Sequence, residues 1–173
     1  MKKEMIVVHQ TAGAWGTNAS ITKDQRKRMR IRVGAYHVLI LNGFINSKLV
    51  YQPKYDGFVE IMRSFRSDGH HVKGKDHFSG RYYNEIAYGV AVVGPTIRGQ
   101  LTRRQMVMLL ATLRQLMVSD GIMPDEIYGH NELDPRTACP GRIPMAAIRK
   151  ALGGRNVISR ADQNERTTRW FPV

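Results

Sequence analysis

Two imidazoles and one thiol stand out as groups that could share a chemistry: His9, His130 and Cys139. His9 ends the apolar run Met5-Ile6-Val7-Val8, His130 follows the short apolar segment Glu126-Ile127-Tyr128-Gly129, and Cys139 lies nine residues further on in a Pro-containing loop. Two histidines and a thiolate are a ligand set suited to zinc, and three protein ligands leave the fourth tetrahedral position open, as catalytic rather than structural sites do. Such an ion would carry about one net positive charge beside a single thiolate, enough to lower the pKa of a water toward ~7. Taken singly, each residue has a plainer reading. A lone histidine after a strand is commonly a surface or satisfied core residue, a lone cysteine is commonly a small buried apolar group, and the spacing from His130 to Cys139 meets no strict metal motif.

These residues need elements to carry them. Met5–Val8 reads as a buried strand that delivers His9 into the small, polar stretch 10–18. Residues 23–32 hold six basic side chains and one acid, with Met29, Ile31 and Val33 alternating with arginines, and we read a short helix starting from a Thr22 cap. Tyr36–Leu41 reads as a strand turning at Asn42-Gly43 and returning through Lys48–Tyr51 as a hairpin. In that strand His37 would point away from the face that carries Tyr36. Residues 52–83 read as an extended loop with one helical turn at 58–62, and loops of this length in a compact domain are usually functional. Tyr88–Gly94 is a buried strand, and Thr102 caps a helix in which Met106, Leu109, Leu110, Leu113, Leu116 and Met117 share one face until Gly121 ends it. A final helix begins at Met145, and after Gly153-Gly154 the chain turns polar.

Composition bounds the rest. A length of 173 residues, 42% hydrophobic and 24% charged, fits one globular domain with a substantial core. We place that domain at 1–152, with 153–173 as a polar tail or added helix. The longest apolar runs, such as Val38–Leu41, fall far short of the ~18 residues a membrane span needs, and no signal peptide is visible, so cytoplasmic synthesis is expected. One cysteine excludes an internal disulfide. The net charge of +13 attracts polyanions: nucleic acid, an anionic membrane surface or an anionic wall polymer. No aromatic residue is interleaved in the 23–32 run, which argues against single-strand nucleic-acid binding.

Several pieces, in order from about residue 5 to residue 150, resemble the zinc-dependent N-acetylmuramoyl-L-alanine amidases of the phage T7 lysozyme type, relatives of the peptidoglycan recognition proteins. They are Ile6-Val7-Val8-His9 with Thr11-Ala12, Gly34-Ala35-Tyr36-His37, His71-Val72-Lys73-Gly74, Asn84 with Tyr88–Gly94, and Gly129-His130 through Ala138-Cys139-Pro140-Gly141. The resemblance implies an α/β fold with a mixed central sheet flanked by helices. It also implies a Zn2+ ion on His9, His130 and Cys139, and Tyr36 acting beside it. Thr137 would stabilise the oxyanion, with Arg136 as the competing occupant of that position because the loop is one residue longer than in close relatives. His71 would stand at the edge of the substrate cleft. The implied reaction is hydrolysis of the amide between N-acetylmuramic acid and L-alanine in bacterial peptidoglycan. The implied role is that of a phage endolysin, monomeric, made in the host cytoplasm, acting on the wall after release and drawn to the anionic envelope by its charge. Two alternatives stay open: a non-catalytic peptidoglycan-binding module, whose known examples typically lose the cysteine, and a basic nucleic-acid or polymerase-binding regulator on the same fold.

Overall fold

The computed structural model describes residues 2–94 and 99–154. The tail expected from 153 onward lies, beyond residue 154, outside the described residues. Among the described residues no helix is long and apolar enough to cross a membrane.

Five strands form one mixed sheet: β1 (Met5–Gln10), β2 (Val38–Asn42), β3 (Asp56–Ile61), β4 (Ala87–Val92) and β5 (Ile127–Gly129), in the order β3-β2-β4-β1-β5. The four strands from β2 to β5 run parallel, and β3 closes one edge antiparallel to β2. Both faces of the centre are covered, so β1, β2 and β4 are buried at every position and read as apolar runs rather than as alternation.

One face is closed by α3 (Arg103–Asp120), whose Leu109, Leu113 and Leu116 pack on Ile6, Val8, Ile40, Val90 and Val92. The helix starts where expected, with Thr102 and Gln105 capping each other's backbone N–H groups, and stops at Gly121, whose φ of 67° places it in the left-handed region where glycine has no side-chain penalty. Burying each of these leucines contributes roughly 1.5–3 kcal/mol, which makes this face the principal anchor of the sheet.

The opposite face carries Met5, Val7 and His9 of β1 and Ala87, Gly89 and Ala91 of β4, since side chains alternate along a strand. It is covered by α1 (Asn18–Met29) and by the long segment 62–82, and it is the face on which the chemistry sits. The short helices α2 (Tyr83–Ile86), α4 (His130–Leu133) and α5 (Met145–Ala151) are the remaining α-helices among the described residues.

Three local expectations are corrected. The first helix starts five residues early: Thr17 and Ser20 form the cap, and Thr22 instead donates to the Asn18 side chain from inside the helix. Met29 closes that helix and Ile31 and Val33 follow it, so their alternation with arginines marks no strand. The partner of β2 is β3, not Lys48–Tyr51, which forms a turn with the Gln52 N–H bonded to the Gly43 carbonyl. Residues 58–62, expected as a helical turn, belong to that edge strand up to Ile61: Val59 packs against the core while Phe58, on the opposite face, is exposed, and Ile61 at the end of the strand is exposed as well.

Candidate metal centre

His9 leaves the carboxyl end of β1, and His130 is the first residue after β5. Because Val8 of β1 stands opposite Gly129 of β5, the two histidines emerge from adjacent parallel strands at the same level. Their rings lie 4.6 Å apart. The carboxyl ends of parallel strands are where open α/β sheets place their ligands.

Cys139 reaches the same point by a local fold of the loop. The Asn131 N–H donates to the Cys139 carbonyl at 2.7 Å, the Asp134 N–H to the His130 carbonyl and the Thr137 N–H to the Asp134 carbonyl, so the nine-residue excursion returns beside its origin. The start of α4 is held by Glu132, whose carboxylate accepts from the Gly129 N–H at 2.6 Å and forms a two-pronged ion pair with Arg149 of α5. That anchor fixes the backbone immediately before His130.

One donor atom from each of His9, His130 and Cys139 lies within 4.8 Å of the others. The His9 Nδ1 to Cys139 Sγ distance is 3.7 Å. A tetrahedral zinc with bonds of about 2.0 Å to nitrogen and 2.3 Å to sulfur spans a ligand edge of about 3.5 Å, so both the donor set and its spacing fit this ion. Burial holds His9 well below the usual histidine range, with the His71 and His130 rings adding to the effect, and burial also lowers His130, so both imidazoles are neutral at pH 7 with a lone pair to offer. Burial pushes the Cys139 thiol up to about 11, opposed by backbone hydrogen bonding to Gln10, whose N–H lies 3.3 Å from Sγ. A cation is what such a buried thiol needs to become a thiolate at neutral pH.

Tyr36 and His37 precede β2 rather than belonging to it. Tyr36 turns its ring toward His9, 5.1 Å away, and burial raises its pKa, so it remains a phenol with a proton to donate. His37 is fully buried and is not one of the three clustered donors. The Thr137 hydroxyl accepts the Cys139 N–H at 3.1 Å, which leaves its own hydrogen free to point outward. Arg136 is exposed and its guanidinium grips the Asp134 carboxylate through two nitrogens. His71, expected at the edge of a cleft, lies at its floor: it is only 7% exposed, and its Nδ1 is 3.0 Å from His9 Nε2.

Two cavities adjoin this cluster, one reaching it at Tyr36 and the other at His130. One, about 470 Å³, is lined by Thr11, Trp15, Asp24, Arg28 and Tyr36 among others; the second, about 600 Å³, by His70, His71, Lys73, Asn84, His130, Arg136 and Thr137. Met29, at the end of α1, lines both. The basic run 23–32 is therefore not a surface apart from the site, since Arg28 and Met29 form part of its wall.

The family model described as N-acetylmuramoyl-L-alanine amidase matches residues 1–142. The chain belongs to this amidase family. No curated protein sequence matches it significantly. Among solved structures, the amidase fold seen here is similar to the N-acetylmuramoyl-L-alanine amidase LysC from Clostridium intestinale URNW, with a TM-score of 0.72 at 24% identity over 90% of this chain and 88% of that one. It is also similar to wild-type PGRP-LB of Drosophila, with a TM-score of 0.64 at 13% identity over 91% and 86% of the two chains. A third is peptidoglycan recognition protein LE in complex with tracheal cytotoxin, a monomeric diaminopimelic acid-type peptidoglycan, with a TM-score of 0.64 at 14% identity over 94% and 88%. The α/β fold with a mixed sheet flanked by helices, which the sequence resemblance implies, is thus the amidase fold. Sequence reasoning did not single out Trp15, Glu132 or Arg149, and it gave Asn84 and Gly89 no role. Asn84 and Gly89 stand in the segments that carry the family resemblance, whereas the Glu132–Arg149 pair crosses from one short helix to another and leaves no local signal.

Proposed function

We propose that this chain is a zinc-dependent N-acetylmuramoyl-L-alanine amidase that cuts bacterial peptidoglycan in the role of a phage endolysin, with Zn2+ held by His9, His130 and Cys139. The observation that carries the reading is the convergence of these three donors within 4.8 Å of one another, beside cavities lined by Tyr36 on one hand and His130 on the other. A non-catalytic binding module has no need of a cysteine placed beside two imidazoles, and its known examples typically lose it.

The bond in question is an unreactive amide, so the site must bring a nucleophilic water, stabilise a developing oxyanion and protonate an amine. Bound zinc would supply Lewis acidity, polarising the carbonyl and lowering the pKa of a water. The residues of the chain do the rest. His9 and His130 present neutral nitrogens, and Cys139 brings the one negative charge. Tyr36 keeps its proton and can donate it in a hydrogen bond to the oxyanion or orient the attacking water. Thr137, anchored on the Cys139 N–H, offers a second hydroxyl donor and takes the oxyanion side in preference to Arg136, whose charge is committed to Asp134. Donors fixed before the reaction contribute most because nothing reorganises as charge develops.

Peptidoglycan is the partner, and Lys23, Arg26, Lys27, Arg28 and Arg30 around α1 would draw the enzyme to the anionic envelope. We assign it a monomeric state and synthesis in the host cytoplasm with action after release. The reading is tested by metal content with and without the thiolate: purified protein holds one zinc per chain and clears purified peptidoglycan, while Cys139→Ser loses most of the zinc and the clearing. Full zinc retention with Cys139 alkylated overturns the site.

A further inference from the structure

We propose that His71 is a positioning residue that sets the tautomer and orientation of His9 for the metal, and that Gly69, Gly89 and Asn84 form the socket that holds it there. This inference rests on the zinc reading above and goes beyond the cleft-edge role that the family resemblance implies for His71.

The two nitrogens of His9 face different ways. Nδ1 points to Cys139 Sγ at 3.7 Å, and Nε2 lies 3.0 Å from His71 Nδ1. A ring that offers the Nδ1 lone pair to an ion must carry its hydrogen on Nε2. That hydrogen is then donated to His71 Nδ1, which accepts, so the pair has one consistent proton arrangement. With a non-accepting side chain in its place, His9 would be free to put its hydrogen on Nδ1, where it would oppose a cation.

The socket is built for this ring. An added Cβ at Gly69 would come within 2.3 Å of His71 Cδ2, and one at Gly89 within 2.5 Å of the same atom, both far inside contact distance. The ring stands edge-on to His9, with centroids 5.0 Å apart and planes at 79°. Asn84 fixes the backbone beneath: its Oδ1 accepts from the N–H groups of His71 and Val72 at 2.9 and 3.1 Å, and its Nδ2 donates to the Val72 carbonyl at 2.7 Å. The Gly69 N–H donates to the Asn84 carbonyl at 2.8 Å, closing the same unit. Mere filling of this space would not require a nitrogen aimed at His9 Nε2.

The test compares zinc affinity, by competition with a chelator, in the full-length wild type, His71→Asn, His71→Leu and Gly89→Ala. Asparagine places its amide oxygen about where Nδ1 sits and keeps the acceptor, whereas leucine fills the space without one. Gly89→Ala keeps every polar atom and displaces the ring. We expect His71→Leu and Gly89→Ala to bind zinc about 10–100-fold more weakly, and His71→Asn to stay within about threefold of wild type, the usual loss when an outer partner of a ligating histidine is removed or kept. The absorption of the cobalt-substituted proteins reports ligand geometry without reference to activity, and its tetrahedral bands should broaden or weaken in the same two variants. If wild type binds zinc and both His71→Leu and Gly89→Ala match it, the positioning role is overturned while the metal site stands. If wild type itself binds no zinc, the metal site falls and this inference with it. Should His71→Leu fail to fold, Gly89→Ala decides alone: wild-type affinity in that variant overturns the proposal.

Discussion

His37 makes the fold sensitive to acid in a way that can be worked out atom by atom. Its ring is fully buried; Nδ1 accepts the Gly89 N–H at 2.9 Å, and Nε2 donates to the Ser67 carbonyl at 3.0 Å. A second proton would have to enter at Nδ1, against the Gly89 N–H. Burial, opposed by the hydrogen bond to Ser67 and reinforced by Lys3 and Arg63, pushes the His37 pKa down to about 4 from an ordinary value of 6.5. The unfolded chain therefore takes up this proton first as pH falls. The stability that neutral His37 contributes is complete above pH 6.5 and is lost progressively as pH drops toward 4. The full loss is about 3 kcal/mol, and about 2 kcal/mol is gone by pH 5. The assay is urea unfolding of zinc-free protein at pH 7.5, 6.5, 5.8 and 5, comparing wild type with His37→Asn, which keeps an acceptor for Gly89 but cannot titrate. The cavity left by Asn lowers stability at every pH alike. His9, also held low, steepens both curves alike, while His71, held low in part by His37, steepens the wild-type curve somewhat more and adds to the same difference. Wild type should lose about 1.4 kcal/mol more per pH unit than His37→Asn near pH 5.5, one proton's worth. Parallel curves would refute the neutral, doubly bonded ring.

Other outcomes follow from the same geometry. Arg149→Met leaves the largely buried Glu132 carboxylate with only the Gly129 N–H, so it should cost about 2 kcal/mol and lower Tm by roughly 4–8 °C in thermal unfolding; an unchanged Tm would remove the anchor behind His130. Tyr36→Phe should keep zinc and fold while turnover on peptidoglycan falls by a factor on the order of 10² to 10³, and wild-type turnover would strike Tyr36 from the mechanism. In metal-free protein the Cys139 thiol, held up at about 11, should be alkylated slowly at pH 7 and about tenfold faster with each pH unit to pH 10; a plateau by pH 9 would contradict its buried setting.

What the sequence revealed was what local pattern encodes. The helix from Thr102 to Gly121 carries a capping box, a leucine stripe and a terminating glycine, and all three act within a few residues of themselves. The strands ending at His9 and His130 were legible as apolar runs stopped by polar residues, and the three donors as unusual types at those stops. The first helix was misplaced because its cap, Thr17 with Ser20, lies in a small polar stretch that resembles a loop, while the basic run after it imitates alternation. Strand β3 is hard to read because it is an edge strand: of its six residues only Val59 packs a side chain on the core, and one inward side chain sets no period. The depth of His71 was illegible for a different reason. It depends on residues 69–72 lying across β4 at Gly89, a long-range register that only the folded sheet creates, and the space Gly89 provides looks in sequence like the boundary of a strand.

The central claim is tested most directly by the bond that is broken. Purified peptidoglycan digested by the zinc-loaded protein and analysed by mass spectrometry should yield stem peptides with free L-alanine amino termini and glycan chains carrying intact lactyl carboxylates, with no new reducing ends. The carboxylates that line the cavities, Asp24 and Asp134, are each paired with an arginine and do not form the facing acid pair that glycoside hydrolysis uses. New reducing ends without free alanine amines, or bound but uncut peptidoglycan at full zinc occupancy, would contradict the account.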